Sequence, residues 1–207
     1  MANIQAQSAK PESAEADRLV AQLLEQLAQP APATSEFFER RESSLLVAPM
    51  LLQGTLERPQ SGQLIKRIQG PPRESMEISA DRVRIEREGE RRRSFSLRRA
   101  PELAALAASF EALLGGDRAL LEKHYQLRFQ PDPPRWTLNL MPRDARLNKK
   151  VSGLSLHGRD QQWRCFDLEL SNGERSRMWL GEWAELAAAA DDEPARDALC
   201  LGERASP

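Results

Sequence analysis

The pattern of apolar positions changes from a helical period to an alternating one at about residue 36. Before that point, a stripe of apolar residues falls on one face of a helix that is predicted to open at Ser13. The stripe consists of Leu19, Val20, Leu23, Leu24 and Leu27. Pro30-Ala31-Pro32 follows, and we expect it to end the helix because proline cannot continue one.

From residue 36 to residue 97, short apolar runs are bounded by Gly, Pro or Asp, which predicts strands. The clearest run contains Val83 and Ile85, which alternate with Arg and Glu. A period of two indicates an antiparallel sheet with one apolar face and one solvated face. The predicted strands are Glu36–Leu46, Leu51–Arg58, Gln63–Gln69, Arg73–Ser79, Arg82–Glu88 and Arg91–Leu97.

A second helical pattern interrupts the strands after Pro101, a residue suited to a first helical turn. It ends at Gly115-Gly116, and Asp117 is suited to cap a short helix over Arg118–His124. Five more predicted strands follow, namely Tyr125–Gln130, Trp136–Met141, Val151–Gly158, Gln162–Leu170 and Arg175–Leu180. Open twisted sheets rarely exceed about 10 strands, so a sheet of about eleven should curl around its apolar face.

Length and charge narrow the function classes. The 207 residues suit a single domain over residues 13–183, with a disordered lead-in over 1–12 and a flexible tail over 184–207. Lys and Arg total 30 against 31 Asp and Glu, a balance that argues against nucleic acid as a partner. No apolar run approaches the roughly 20 residues that cross a bilayer. The first residues lack a signal-peptide pattern, which leaves a cytoplasmic location and a removed signal peptide both open.

Candidate catalytic and metal-binding groups are sparse. Cys165 and Cys200 are able to pair only in an oxidising compartment, and unpaired thiols are the favoured interpretation because Cys200 lies in a weakly patterned tail. His124 and His157 are isolated, so neither a metal-ligand spacing nor a catalytic triad emerges. A Gly-x-Ser-x-Gly elbow is missing as well, so we predict that the protein is not an enzyme.

A set of short motifs occurs in a fixed order between Leu19 and Leu180. They are Phe37-Phe38-Glu39-Arg40-Arg41-Glu42, Gly54-Thr55-Leu56-Glu57-Arg58-Pro59, Leu64-Ile65-Lys66, Pro72-Arg73-Glu74, Gly116-Asp117-Arg118, Trp136-x-Leu138-x-Leu140-x-Pro142-Arg143-Asp144, Gly158 and Gly173-Glu174-Arg175-Ser176-x-Met178. In order and spacing the set resembles the LolA-type bacterial lipoprotein carriers, and most closely the LolA-like proteins of proteobacterial gene clusters.

The resemblance implies a mainly β fold: a curled, incomplete antiparallel β-barrel with a helical lid, an N-terminal helix and an apolar hollow. It also implies a periplasmic monomer that takes acylated lipoproteins from an inner-membrane transporter and passes them to an outer-membrane receptor. Neither a cofactor, nor a metal, nor catalysis is implied. Aromatic residues make up only 5% of the chain. A glycolipid, a polyene-acyl ester or another amphiphile therefore stays open as cargo, as does a regulatory interaction module on the same fold.

The alternating apolar residues are the candidate lining of the hollow, without a charged anchor inside it, although such a pattern is also typical of ordinary core. This set is Leu56, Leu64, Met76, Ile78, Val83, Ile85, Phe95, Leu97, Leu127, Phe129, Trp136, Leu138, Leu140, Leu154, Leu156, Phe166, Leu168 and Met178. The lid face is predicted to be Leu103, Leu106, Phe110, Leu113 and Leu114. The resemblance makes Arg58 a candidate latch between sheet and lid, against the alternative of a surface arginine beside a turn.

Overall fold

A computed structural model of the chain describes residues 11–28, 30–60, 62–99, 101–160 and 162–201, and within them the side chains at 11–16, 27, 101–103, 105 and 106 are not described. The strands are β1 Ala33–Glu42, β2 Met50–Arg58, β3 Leu64–Gln69, β4 Glu74–Ile78, β5 Arg82–Arg87, β6 Arg93–Ser96, β7 Tyr125–Asp132, β8 Arg135–Pro142, β9 Val151–Arg159, β10 Gln162–Leu170 and β11 Arg175–Leu180. The helices are α1 Pro11–Leu27, α2 Pro101–Gly115, α3 Arg118–His124, α4 Ala145–Asn148, α5 Glu182–Ala189 and α6 Glu193–Leu201.

All eleven strands join one antiparallel sheet in the order β6-β5-β4-β3-β2-β1-β11-β10-β9-β8-β7. Strand β1 lies at the centre, where it pairs with β2 on one side and with β11 on the other. The sheet is open, since β6 and β7 form its two edges. Helices α2 and α3 connect these edge strands, so the chain itself bridges the opening. The predicted curled, incomplete barrel with helices is confirmed.

Period-two alternation gives the sheet an inner and an outer face. The main core lies on the inner face, where α1, α3 and α4 contribute Leu24, Leu121 and Leu147. These side chains pack with Leu138 and Leu154 from β8 and β9. The second half of the sheet is therefore filled by helices.

The C-terminal segment is ordered on the outer face, which corrects the prediction of a flexible tail as far as Leu201. Helices α5 and α6 enclose a second core around Phe38 and Trp179, and Trp179 is fully buried there. Cys165 in β10 and Cys200 in α6 form a disulfide with their Cα atoms 5.4 Å apart. The segment looked weakly patterned because its anchors lie on distant strands.

Several boundaries differ from the sequence prediction. Helix α1 begins at Pro11, so residues 11 and 12 are helical, and the rest of the predicted lead-in lies outside the described residues. Strand β1 ends at Glu42 instead of Leu46, and the following loop leaves Leu45 and Val47 fully exposed at its tip. The aliphatic residues of this loop led the sequence pattern to predict a longer strand. Among the described residues, none of the helices is both long and apolar enough to span a membrane.

A network of ion pairs, the outer clamp, holds α6 to the sheet and consists of Arg40, Asp167, Arg177, Glu193 and Asp197. Arg177 donates to both carboxylate oxygens of Asp167 at 2.7 Å and to Asp197 at 2.6 Å. Arg40 on the neighbouring strand pairs with Glu193 and Asp197 of the same helix. Bidentate arginine–carboxylate pairs of this kind are stronger than single ion pairs because their geometry is fixed.

Acid is expected to weaken the outer clamp. Burial raises the pKa of Asp167, but the hydrogen bonds from Arg177 and His157 lower it by a larger amount. The resulting pKa is about 2. Since this lies below the usual value of about 3.9, the carboxylate stabilises the fold above about pH 4 and loses that effect as the pH falls towards 2. We expect Asp167→Asn to lower the free energy of unfolding by about 2 kcal/mol at pH 7 and to change little at pH 2.

Urea denaturation at several pH values would measure this difference, with Asp191→Asn as the control because that side chain is exposed. An equal loss at pH 7 and pH 2 would contradict the assignment of the stability to the ionised carboxylate.

Candidate functional site

An apolar cavity of about 370 Å³ lies between helix α2 and the inner face of the sheet, over β1–β6, β10 and β11. This volume is near the lower end of the range of about 300–1,000 Å³ that is typical of small-molecule sites. Its apolar lining is Leu56, Leu64, Met76, Ile78, Val83, Ile85, Phe95, Ala107, Phe110, Leu113, Leu114, Trp163, Phe166, Leu168, Met178 and Leu180.

The register of the short strands explains the apolar surface under the lid. Met76 lies directly opposite Ile85, and Ile78 directly opposite Val83. Val83 is in turn opposite Phe95 on the edge strand β6. Directly opposite residues point to the same face with Cβ atoms about 4.5–5.5 Å apart, so these side chains form one continuous surface.

Helix α2 covers the cavity with three of the predicted lid residues, Phe110, Leu113 and Leu114, and their action as a lid stays a prediction. The side chains of Leu103 and Leu106 lie outside the described part of the chain. The ring of Phe110 lies 5.6 Å from that of Phe166, measured between centroids. Trp163 stacks on the same Phe166 ring. Three aromatic rings therefore join the lid to β10.

Arg58, at the end of β2, bonds the lid directly. Its Nη1 donates a hydrogen bond of 2.7 Å to the carbonyl oxygen of Leu114. Leu114 lies in the last turn of α2, where backbone carbonyls have no partner within the helix and a positive charge is favourable. The contact has the geometry that a latch requires, and its action as a latch stays a prediction.

One part of the cavity is polar, which corrects the expectation of a hollow without a charged anchor. This charged wall consists of Glu39, Arg41, Lys66 and Ser176. Glu39 is 2% exposed and accepts hydrogen bonds from all three of the other side chains. Arg41 Nη2 lies 3.1 Å from Glu39 Oε1. The contacts make Glu39 the centre of the wall.

Burial and charge pairing act in opposite directions on the two most buried members. Burial raises the pKa of Glu39, but Lys66 and Arg41 lower it by more, so it lies below its usual value. Burial lowers the pKa of Lys66, and the nearby Glu39 offsets only part of that effect. The Lys66 ammonium also lies 4.7 Å from the centroid of the Phe37 ring, within the range of a cation–π contact.

The family model for outer membrane lipoprotein carrier proteins, LolA-like, matches residues 8–203, nearly the whole chain. The chain belongs to this LolA-like family. The LolA-like family is one of binding and carrier proteins. A comparison with curated proteins found no sequence match.

Three solved structures align with most of this LolA-like chain at low sequence identity. A LolA superfamily protein from Nitrosomonas europaea is 10% identical with a TM-score of 0.44, over 80% of this chain and 91% of that one. LprF from Mycobacterium bovis is 11% identical with a TM-score of 0.39, over 83% of this chain and 93% of that one. MucB is 19% identical with a TM-score of 0.41, over 83% of this chain and 58% of that one.

Ten of the predicted lining residues surround the cavity, and eight do not. The ten are Leu56, Leu64, Met76, Ile78, Val83, Ile85, Phe95, Phe166, Leu168 and Met178. Those placed elsewhere are Leu97, Leu127, Phe129, Trp136, Leu138, Leu140, Leu154 and Leu156. Seven of these pack in the main core because helices fill that half of the LolA-like sheet, and Leu97 faces a smaller recess beside α2.

Sequence reasoning missed the charged wall, although its signal was available. Glu39 and Arg41 share the parity of the inward-facing Phe37, and Lys66 lies between the inward-facing Leu64 and Ile68 in β3. Alternation therefore placed these charges on the inner face. What it left open was their pairing across two strands, since that requires the register of the folded sheet.

Replacing Arg58 by methionine keeps most of the aliphatic stem and removes the donor to Leu114. We expect amide hydrogen exchange in the last turn of α2 to accelerate by about tenfold or more, because a hydrogen bond from a charged donor contributes about 1.5–3 kcal/mol. Arg67→Met is the matched control, since Arg67 bonds the exposed outer-face Glu57. Equal exchange in both variants would show that Arg58 does not hold the lid.

Proposed function

We propose that the protein is a periplasmic carrier that binds acyl chains of lipoproteins, or of a related amphiphile, and transfers them towards the outer membrane. The observation that carries this proposal is the lidded cavity, which sixteen apolar side chains line. Family membership supports the same role, because the family is described as outer membrane lipoprotein carriers.

The chemistry of the cavity suits an acyl chain. Each methylene group moved out of water contributes about 0.8 kcal/mol, so about six buried methylenes supply about 5 kcal/mol. The lining is mostly aliphatic, and aliphatic walls bind by area without demanding one orientation of the chain. A chain of ordinary length is therefore bound usefully and still released.

Release requires an opening, and the lid provides one. Helix α2 is held to β2 by the Arg58–Leu114 hydrogen bond and to β10 by the packing of Phe110 on Phe166. Neither contact is covalent. Lifting α2 would expose the cavity without breaking the sheet beneath it, which is the motion that loading and unloading need.

The proposed compartment and partners follow from the family. A periplasmic carrier works as a monomer between an inner-membrane transporter that donates the cargo and an outer-membrane receptor that accepts it. The Cys165–Cys200 disulfide supports the periplasm, because disulfides persist in oxidising compartments and are rare in the cytosol.

Placing a charge in the lid tests the proposal. Phe110→Asp puts a carboxylate against the apolar lining, which opposes chain binding because an unpaired charge is costly to bury. We expect the affinity for a fluorescent fatty-acid probe to fall by more than about tenfold. Leu186→Asp is the matched control, since Leu186 is exposed on the outer-face helix α5.

Native mass spectrometry with lipid extraction would identify acylated species that co-purify from a bacterial host. Transfer of an acylated protein from inner membranes would then separate lipoprotein cargo from other lipids. A wild-type protein that binds neither the probe nor any acylated species would overturn the carrier function.

A further inference from the structure

The charged wall brings more positive than negative charge to the cavity. Lys66 and Arg41 carry two positive charges and Glu39 carries one negative charge. Glu74 also acts on Lys66 electrostatically, but it pairs with Arg87 at 3.3 Å, so this pair adds no net charge. The described groups at this part of the cavity thus sum to one uncompensated positive charge.

Hydrogen-bond donors remain available on the same side chains. Glu39 accepts bonds from Lys66, Arg41 and Ser176, which satisfies most of its lone pairs. Lys66 has three N–H donors, and Glu39 is its one hydrogen-bond acceptor within the described part of the chain. Arg41 has five donors and reaches Glu39 through Nη2 alone. Both cations line the cavity with donors to spare.

Burial makes the Lys66 ammonium costly without a partner, whereas Arg41 keeps 40% of its side chain exposed. The side chain of Lys66 is 16% exposed, and a buried ammonium is disfavoured without a partner for its charge. The single negative charge of Glu39 balances only one of the two positive charges. An anionic oxygen group within reach of Lys66 and Arg41 would balance the second charge and use the spare donors.

We propose that the charged wall binds the anionic head group, a carboxylate or phosphate monoester, of a single-chain amphiphile whose acyl chain occupies the apolar cavity. This inference rests on the proposed carrier function and specifies its cargo. The cavity volume of about 370 Å³ suits one chain in this conformation. The chain would lie between Ile78 and Val83 on the sheet and Phe110 on helix α2.

Head-group selection is the measurable consequence. A charge-assisted hydrogen bond is about twice as strong as a neutral one, so an ionised head should outweigh a hydroxyl on the same chain. The affinity is also expected to fall with added salt, less steeply than for fully exposed charges because Glu39 and Lys66 are largely buried. A cationic head on that chain would meet the excess positive charge and bind worst.

Calorimetric titration below micellar concentrations tests this with dodecanoate, dodecyl phosphate, dodecanol, dodecyltrimethylammonium and inorganic phosphate. We expect both anionic amphiphiles to bind at least about tenfold more tightly than dodecanol. Lys66→Met should abolish that preference, because it removes one of the two cations of the charged wall. Lys149→Met is the matched control, because Lys149 is an exposed lysine away from the cavity.

Glu39→Gln provides a variant of nearly identical shape with the opposite effect. It removes the internal negative charge and should tighten dodecanoate binding by several-fold, so the inference remains testable if Lys66→Met does not fold. Weaker or unchanged dodecanoate binding in Glu39→Gln would count against the head-group site.

The remaining outcomes separate the two proposals. Equal affinity of the wild-type protein for dodecanol and dodecanoate would overturn the head-group site and leave the carrier function standing. Failure of every twelve-carbon chain to bind would overturn the carrier function itself. Inorganic phosphate that binds as tightly as dodecyl phosphate would show a site for the free anion, which contradicts an amphiphile as the occupant.

Discussion

The pairing of β1 with β11 is the interaction on which the rest of the structure depends. It joins Phe37 to Leu180 and Glu39 to Met178, residues that are more than 130 positions apart in the chain. Without it the two halves would form separate sheets, each with an exposed edge. With it, β1 carries Glu39 and Arg41 of the charged wall on its inner face and Arg40 of the outer clamp on its outer face. One strand therefore holds together the cavity, the sheet and the C-terminal helices.

Local chemistry made much of the fold predictable. Val83 and Ile85 alternate with charged residues, and their strand formed with the expected face inward. Gly173 supplies the positive φ that the hairpin turn between β10 and β11 requires, and the Asn172-Gly173 pair is a strong local signal for such a turn. Asp117 caps α3 through a bond to the Leu120 amide, again at the expected residue. Each of these features depends on neighbours within a few residues.

The distribution of space between the two halves of the sheet could not be predicted in this way. Alternation in β8 and β9 is as regular as in β4 and β5, yet Leu138 and Leu154 pack under helices whereas Ile78 and Ile85 face a cavity. The difference depends on where α1, α3 and α4 settle, which is a property of the whole fold. The attachment of α6 could not be predicted for the same reason, because its Cys200 pairs with Cys165, which lies 35 residues away in the chain.

The outer clamp and the disulfide also have a mechanical consequence. They cover β1, β10 and β11 with helices on the outer face, whereas the outer side chains of β3–β5, such as Arg67 and Arg84, are exposed to solvent. Strands β3–β5 are therefore packed on their inner face only. Regions with fewer buried contacts deform at a lower cost in free energy. The region of β1, β10 and β11 is therefore expected to be stiff and the region of β3–β5 to be compliant. The compliant region forms much of the cavity wall. An acyl chain larger than the cavity would be accommodated by bending of β3–β5, while β1, β10 and β11 keep their shape.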